Sequence, residues 1–362
     1  MRRAHEDAAL PAFSQTLFVA ENPIGNVPKC FNFTPTLIIN LHLNTNTFAM
    51  AIPVVDLAEF SGDAKQKASF VDALGKAYED VGFVAVKNHG LTDEMINELY
   101  SNTREFFSLP LDVKKKYEVP GLAGQRGYTS FGKEHAKGSK AADLKEFFQF
   151  GQTVVDGDPI GAEYPANVTV TEVINFTPSF FKAYRSFEDS GSRLLRAIAL
   201  YLGLNENYFD QYVHNGNSIL RAIHYPPITS EPRSAIRAEQ HEDINLITLL
   251  IGASADGLEI LSKQDEWVPV TSLPEQIVVN VGDMLQRLTN NKLRSTTHRV
   301  VNPPRKLWGT IRFSIPFFLH PKSSMSLACL PGCIDAAHPK QYPDATAGEY
   351  LDERLREIGL KK

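Results

Sequence analysis

The sequence lacks the features that mark several broad classes of protein. Its 362 residues include only three cysteines, Cys30, Cys329 and Cys333, a number too small and too odd for a disulfide framework. No apolar run approaches the roughly 18 residues that a membrane-spanning helix needs. The 37 Lys and Arg against 42 Asp and Glu give a net charge of −5, which argues against nucleic acid or an anionic membrane as the main partner. We therefore expect a reducing, cytoplasmic setting.

The first 49 residues differ from the rest of the chain. They mix Asn, Thr and Pro with scattered apolar residues, and no apolar signal-peptide core follows the basic start. The stretch "MAIPVVDLAEF", which begins at Met50, is typical of the first strand of a folded domain. We predict that residues 1–49 form a weakly ordered extension and that a chain beginning at Met50 keeps its stability and activity.

The remainder divides into a mixed region and a strand-rich region. Residues 50–170 show helical spacing over 63–82, a strand pattern over 83–87 and a second helix that Thr92 can cap. Residues 171–362 begin with a strong helix pattern and end with a short closing helix.

The long helix is predicted over 177–204, with Thr177 as its cap and Gly203 at its end. Short strand-like runs, separated by turn residues, follow at 218–225, 244–251, 257–261, 267–270, 277–280, 298–301 and 310–318. Many short strands at this spacing predict a β-sandwich or barrel. The expected fold is mainly β with flanking helices.

The stretch "QHEDINLITLL" (240–250) places ionisable residues at the entrance of an apolar strand. Burying such groups is costly unless they are paired or bind a metal. His241 and Asp243 are two residues apart, so on a strand they share one face while Glu242 points to the other. His298 also precedes a β-branched run, in "LRSTTHRVVNP". Two imidazoles and one carboxylate form the facial triad that suits non-haem Fe(II).

A third pattern indicates a site for an anion. In "TIRFSIPFF" (310–318), Arg312 and Ser314 are two apart on an apolar strand and face the same side. Arginine is the preferred side chain for binding a carboxylate through two parallel hydrogen bonds. Tyr225 in "SILRAIHYPPI" can add a hydroxyl to the same carboxylate.

These motifs resemble those of the iron(II) and 2-oxoglutarate-dependent dioxygenases, in the isopenicillin N synthase-like family. The resemblance rests on "HED", "THRV" and "RFS", and it extends through "GFVAVKNHG", "VNVGDMLQRLTNNKLRSTTHRV" and "TAGEYL". It covers about residues 50 to 358. One departure is Ile223, where relatives often carry Asn two residues before the Tyr of the Tyr-Pro motif.

The resemblance implies a double-stranded β-helix (jelly-roll) core with Fe(II) held by His241, Asp243 and His298. It implies that 2-oxoglutarate is a cosubstrate whose C5 carboxylate binds Arg312, Ser314 and Tyr225. The implied reaction uses O2, releases succinate and CO2, and oxidises a C–H bond of a small-molecule substrate. We expect a monomer, with no catalytic side chain beyond the metal ligands.

The walls of the site are less well defined by the sequence. We expect apolar side chains to keep water away from the iron, and we assign this role to Leu246, Leu249, Phe317 and Phe318. Candidate substrate contacts are Arg126, Tyr128, Arg221 and Phe318.

Three other interpretations remain open on the sequence. An oxidase of the same fold would use no 2-oxoglutarate, and Arg312 and Ser314 would then hold the carboxylate of the substrate. A jelly roll with a non-catalytic metal site would show no oxygen uptake. A zinc hydrolase is disfavoured because zinc prefers four-coordinate sites and the chain has no helical His-Glu-x-x-His motif.

Overall fold

The computed structural model describes residues 52–122, 124–135, 141–153, 157–271 and 273–357, so the predicted extension at 1–49 lies outside the described residues. Within these ranges the chain forms twelve strands and seven α-helices. The strands are β1 (Val54–Asp56), β2 (Phe83–Lys87), β3 (Gly127–Thr129), β4 (Glu146–Gly151), β5 (Ile219–Tyr225), β6 (Ala238–His241), β7 (Ile247–Ile251), β8 (Leu258–Leu261), β9 (Trp267–Pro269), β10 (Ile277–Val281), β11 (His298–Val300) and β12 (Arg312–Leu319). The helices are α1 (Ala64–Asp80), α2 (Asp93–Phe107), α3 (Leu111–Lys115), α4 (Phe176–Tyr201), α5 (Asp210–Val213), α6 (Asp283–Leu288) and α7 (Ala347–Glu357). Short 3-10 helices occupy Leu57–Ser61, Pro159–Glu163, Arg305–Leu307 and Pro331–Cys333.

The strands form two sheets. The larger sheet has eight strands in the order β1-β2-β10-β7-β12-β5-β4-β3, and the smaller has four in the order β6-β11-β8-β9. Strands from the first half of the chain lie at both edges of the larger sheet, where β2 pairs with β10 and β4 pairs with β5. The N-terminal region therefore completes a sheet whose centre comes from later in the sequence. This mainly β architecture with flanking helices agrees with the sequence prediction.

The main core lies between the larger sheet and the helices. Helix α4 packs on β12, where the ring of Phe187 stacks on Phe317 with centroids 5.3 Å apart. Gly191 allows this close approach, because a Cβ atom there would lie 2.3 Å from Leu319 Cδ1. Burying one such large apolar side chain contributes roughly 1.5–3 kcal/mol. One face of β12 is thus packed against α4, and its other face is left available for a site.

The predicted helices form, with one shift at the start of α4. Thr92 caps α2 as predicted, and its hydroxyl accepts a hydrogen bond from Met95 N at 3.2 Å. Thr177 does not cap α4, which begins at Phe176 after Asn175. The Thr177 hydroxyl instead accepts a hydrogen bond from Val170 N at 3.0 Å. A tertiary contact has therefore taken the side chain that local sequence assigned to the cap. None of the described helices is both long enough and apolar enough to cross a bilayer.

The strand prediction differs from the structure in two ways. Three strands, β3, β4 and β6, lie outside the predicted runs. The run 244–251 becomes a strand only from Ile247, because a bend occupies 244–246. The side chain of Asn245 stabilises this bend by donating a hydrogen bond to the carbonyl of Ile247 at 2.9 Å.

Candidate metal centre

Two histidines face each other across neighbouring strands of the smaller sheet. His241 at the end of β6 and His298 at the start of β11 are direct register partners, with ring centroids 4.4 Å apart. The Nδ1 atom of His241 lies 2.6 Å from the carbonyl oxygen of Glu239, and that of His298 lies 3.1 Å from the carbonyl of Thr296. A carbonyl can only accept, so each ring carries its proton on Nδ1 and leaves Nε2 free to bind a metal.

The carboxylate of Asp243 completes the cluster from the position just after β6. Its Oδ2 atom accepts hydrogen bonds from Thr248 Oγ1 at 2.6 Å and from Asn280 Nδ2 at 2.8 Å. Its Oδ1 atom lies 3.9 Å from His298 Nε2. Because β7 supplies Thr248 and β10 supplies Asn280, the larger sheet orients a carboxylate that belongs to the strand end of the smaller one.

The protonation states suit metal binding. Burial alone would raise the pKa of Asp243, but the neighbouring His298 and His241 and the two hydrogen bonds to Oδ2 outweigh it and lower that pKa. Burial, followed by the charge of His298, lowers the pKa of His241 to about 4. The side chains therefore offer a carboxylate and an unprotonated imidazole near neutral pH, as metal ligation requires.

The donor set fits Fe(II). One ligand atom from each of His241, Asp243 and His298 lies within 4.8 Å of the others. Two imidazole nitrogens and one carboxylate oxygen form the facial triad of non-haem iron oxygenases. Such a triad leaves the remaining positions around the metal open for other ligands. Phe83 packs edge-on against His298, with ring centroids 5.5 Å apart, and so restricts the orientation of that imidazole.

A buried arginine lies on the larger sheet, across the cavity from the smaller one. Arg312 on β12 is the register partner of Tyr225 on β5, and its guanidinium lies 4.9 Å from the centre of the Tyr225 ring. The Arg312 side chain is 1% exposed; Nε donates to the carbonyl of Ala255 at 3.0 Å, and Nη1 has no partner among the described residues. Ser314, also buried, lies two residues along the same strand. An unpaired buried guanidinium is costly, so this arrangement fits an anionic ligand.

A second arginine near this position was not predicted from the sequence. Arg237 is 1% exposed and lies 6.0 Å from the centre of the Tyr225 ring. Its Nη2 donates to the carbonyl of Thr310 at 2.9 Å, whereas its Nε has no described partner. Burial, followed by the charge of Arg312, lowers the pKa of Arg237 to about 10. Two guanidinium groups therefore concentrate positive charge beside Tyr225.

These groups border one cavity of about 80 Å³ between the two sheets. His241, Asp243, His298, Arg312, Ser314 and Tyr225 all line it. Its apolar wall includes Leu250, Pro316 and Phe318.

Of the four residues predicted to form that wall, Phe318 lines the cavity and the other three do not. Leu246, Leu249 and Phe317 belong to the main core on the opposite side of the sheet. Side chains alternate along a strand, so the face that carries Thr248 and Ser314 also carries Leu250 and Pro316.

The four candidate substrate contacts separate into two pairs. Arg221 and Phe318 line the cavity, with the Arg221 guanidinium 5.3 Å from the centre of the Phe318 ring. Arg126 and Tyr128 are fully buried elsewhere. The guanidinium of Arg126 packs against Gly151, and the hydroxyl of Tyr128 donates to Glu146.

The sequence prediction also missed Lys145, which lines the cavity from the position just before β4. Its ammonium group contacts Asp143 at 2.7 Å and Glu134 at 2.8 Å. A signal was present, because Asp143 and Lys145 are two apart at the entrance of the apolar run "EFFQFG". This is the same kind of pattern that marked His241 and Asp243.

Comparison with known proteins agrees with this geometry. Two family models match the chain: the N-terminal region of non-haem dioxygenases in morphine synthesis over residues 52–172, and the 2OG-Fe(II) oxygenase superfamily over residues 216–321. The 2-oxoglutarate-dependent dioxygenase frbA of Dothideomycetidae sp. (strain 11243) is 32% identical, covering 84% of this chain and 96% of that protein.

Solved structures give the same picture. A 2OG-Fe(II) oxygenase family protein from Caulobacter crescentus is 42% identical with a TM-score of 0.77, covering 85% of this chain and 99% of that one. A full-length Neurospora crassa protein, solved in complex with alpha-KG (2-oxoglutarate), is 29% identical with a TM-score of 0.76, covering 86% and 98%. The predicted double-stranded β-helix fold is thereby confirmed, and the oxidase that uses no 2-oxoglutarate is not favoured. The chain belongs to the 2OG-Fe(II) oxygenase superfamily and is a 2-oxoglutarate-dependent oxygenase that uses Fe(II) and O2.

Proposed function

We propose that His241, Asp243 and His298 hold Fe(II), and that Arg312 with Ser314 and Tyr225 binds the C5 carboxylate of 2-oxoglutarate. The observation that supports this most directly is the shared cavity. The three potential ligands and the buried guanidinium of Arg312, whose Nη1 has no partner among the described residues, border the same cavity from the two sheets. A dicarboxylate that chelates a metal at one end and meets a guanidinium at the other fits such a cavity.

The bound Fe(II), together with 2-oxoglutarate and O2, supplies the oxidation of a substrate C–H bond with release of succinate and CO2. The residues of the chain would hold the metal, orient its ligands and shield the site from water. The carbonyls of Glu239 and Thr296 fix the two imidazoles, and Thr248 and Asn280 hold one oxygen of the carboxylate so that Oδ1 stays available. Positioning of this kind is the main contribution that a protein makes to a cofactor reaction.

The walls would exclude water from the oxidation. Leu250, Pro316 and Phe318 offer apolar surface to the cavity, and Phe83 covers one edge of His298. Excluding water prevents side reactions of reactive species. We propose that Arg221 and Phe318 contact a small-molecule substrate.

Arg126 and Tyr128 lie away from the cavity, so we propose that these two residues support the fold. We further propose the domain division that the sequence indicates. Residues 171–362 would form the catalytic core and residues 50–170 its supporting region.

We also propose a cytoplasmic monomer of the isopenicillin N synthase-like branch. A reducing compartment is supported by Cys329 and Cys333, which are free thiols in the described part of the chain. The branch assignment is supported by the Arg-x-Ser pattern of Arg312 and Ser314 on β12.

The test is binding of 2-oxoglutarate to the anaerobic Fe(II) protein, followed by its metal-to-ligand charge-transfer absorbance. We expect one iron per chain and a band that saturates with 2-oxoglutarate. The assignment fails if iron binds and millimolar 2-oxoglutarate gives no band, or if the band is unchanged when His298 is replaced by Ala.

A further inference from the structure

Two further cationic side chains line the cavity that Arg312 borders. Arg221 on β5 and Lys145 just before β4 both border the same space as His241. They are linked by one carboxylate, because Glu134 lies 3.2 Å from Arg221 Nη1 and 2.8 Å from Lys145 Nζ. Asp143 contacts Lys145 from a second direction at 2.7 Å. Neither Glu134 nor Asp143 is among the described residues that line the cavity, so the cations face the cavity and the carboxylates stand behind them.

Both cations keep an unused hydrogen-bond donor. Arg221 donates from Nε to Gln149 Oε1 at 2.9 Å and from Nη1 to Glu134, and its Nη2 makes no hydrogen bond within the described part of the chain. The ammonium of Lys145 has three protons, and its two carboxylate contacts use only two of them. One edge of a guanidinium and one ammonium proton are thus left for a ligand, on groups that share Glu134.

Two aromatic rings pack against the guanidinium of Arg221. The ring centre of Phe147 lies 4.1 Å from its central carbon, and that of Phe318 lies 5.3 Å from it. These rings occupy part of the surface on which a flat substrate ring could stack. The unused Nη2 donor lies at the edge of the guanidinium, where a ligand meets it in the plane, as a carboxylate does when it binds arginine.

We infer that Arg221 and Lys145 form a second anion subsite, which binds a carboxylate of the primary substrate and makes small organic acids its substrate class. This inference rests on the proposed function, since it assigns the substrate carboxylate to cations other than Arg312, which is proposed to bind the cosubstrate. A carboxylate offers two acceptor oxygens, one for Arg221 Nη2 and one for the free proton of Lys145. A neutral carboxamide offers a single acceptor oxygen and no charge.

The experiment compares matched probes on the anaerobic Fe(II) protein saturated with 2-oxoglutarate. The probes are benzoate, cyclohexanecarboxylate and N-acetylglycine, each with its carboxamide. Binding is measured by calorimetry and by the shift of the charge-transfer band. We expect wild-type protein to bind at least one acid tenfold or more tightly than its amide, and Arg221→Gln to lose that preference.

Two further variants separate the possible outcomes. Glu134→Gln combined with Arg221→Gln removes the ion pair as a unit, so it tests the subsite without leaving a buried carboxylate unpaired. Arg312→Gln is the matched control and should weaken the binding of 2-oxoglutarate. Arg221→Gln should leave the dissociation constant of 2-oxoglutarate within threefold of the wild-type value.

Failure of the inference can be told from failure of the proposed function. Absence of the 2-oxoglutarate band in wild-type protein would contradict the proposed function. A normal band with no preference for any acid over its amide would overturn the second subsite. The second subsite would also be overturned if Arg221→Gln weakened the binding of 2-oxoglutarate as much as Arg312→Gln does, because Arg221 would then bind the cosubstrate.

Discussion

The imidazoles of His241 and His298 are register partners on β6 and β11, with ring centres 4.4 Å apart. Each ring is fixed by a backbone carbonyl two residues before it, so the two Nε2 atoms are oriented by the strands themselves. A metal centre built in this way depends on strand pairing, and the stability of the sheets depends mainly on the apolar core behind them.

We therefore expect His241→Ala, Asp243→Ala and His298→Ala each to abolish Fe(II)-dependent turnover while the fold survives. Each substitution removes one of the three proposed ligands, and the apolar core is untouched. The measurements are iron content after anaerobic loading and far-UV circular dichroism. A variant with near-normal iron affinity and turnover would show that its residue is not a ligand.

The matched control for these variants is Glu242→Ala. Glu242 is exposed, and its carboxylate accepts a hydrogen bond from Thr297 Oγ1 at 2.9 Å on the outer side of the strand end. Its loss should leave iron affinity within about threefold of wild type, since surface substitutions usually change stability by less than ~0.5 kcal/mol. A loss of iron affinity equal to that of Asp243→Ala would contradict the conclusion that the side chain of Glu242 points away from the proposed metal site.

Asn280 and Thr248 should act on the iron through Asp243. Both donate to Oδ2 of that carboxylate, so Asn280→Ala or Thr248→Val should weaken Fe(II) binding by roughly 10- to 100-fold, as is usual for residues that orient a ligand. Turnover at saturating iron should fall much less. Equal loss of turnover at saturating iron would mean that these residues do more than position Asp243.

The sequence could predict which residues form the cluster of potential ligands, because each of them lies in a local pattern. A polar residue stands out at the entrance of an apolar strand, and Asp243 and His241 are only two residues apart. Arg312 and Ser314 stand out on β12 for the same reason. What could not be predicted are contacts that depend on distant pairing. Asn280 reaches Asp243 only because β10 pairs with β7.

The sequence also could not show which apolar side chains of β7 point towards the cavity. Every residue from Leu249 to Ile251 is apolar, so the pattern within that run does not distinguish the face of the strand that borders the cavity from the face that borders the core. Thr248 is the polar residue of β7, and its contact with Asp243 shows that its side is the cavity side. Leu250 shares that side and Leu249 does not.

The stability of the protein in acid should depend in part on Glu134. Burial would raise the pKa of this carboxyl, but Arg221 and Lys145 outweigh it and lower the pKa to about 2 from 4.5. A carboxyl whose pKa is depressed by folding stabilises the native state above its unfolded pKa, and that contribution is lost as the pH falls through the folded value. The window here runs from about pH 4.5 down to about pH 2.

Glu134→Gln should therefore destabilise the protein near neutral pH by on the order of 3 kcal/mol, since it leaves the guanidinium of Arg221 without a carboxylate partner while Lys145 keeps Asp143. The difference from wild type should shrink between pH 4.5 and pH 2, where the wild-type carboxyl becomes protonated. Urea unfolding at a series of pH values measures it. A difference that is constant across this range would mean that Glu134 is not ionised in the folded protein.

The cosubstrate end of the cavity gives the last prediction. If Arg312 receives the C5 carboxylate of 2-oxoglutarate, Arg312→Lys keeps the charge but loses the planar pair of donors. Charge-assisted bonds of this kind are worth about 1.5–3 kcal/mol each, so 2-oxoglutarate binding should weaken by roughly tenfold or more at 1.4 kcal/mol per decade.

The other members of this end should rank below Arg312. Arg312→Ala should weaken binding more than Arg312→Lys. Ser314→Ala should weaken it less, because a hydroxyl is a neutral group that donates only one hydrogen bond. Affinity for Fe(II) should change little in all three variants, since neither residue is a proposed ligand. Titration of the charge-transfer band with 2-oxoglutarate gives the dissociation constants. An unchanged constant in Arg312→Ala would move the cosubstrate carboxylate away from Arg312, and Arg237, on the same aromatic ring of Tyr225, would be the next guanidinium to test.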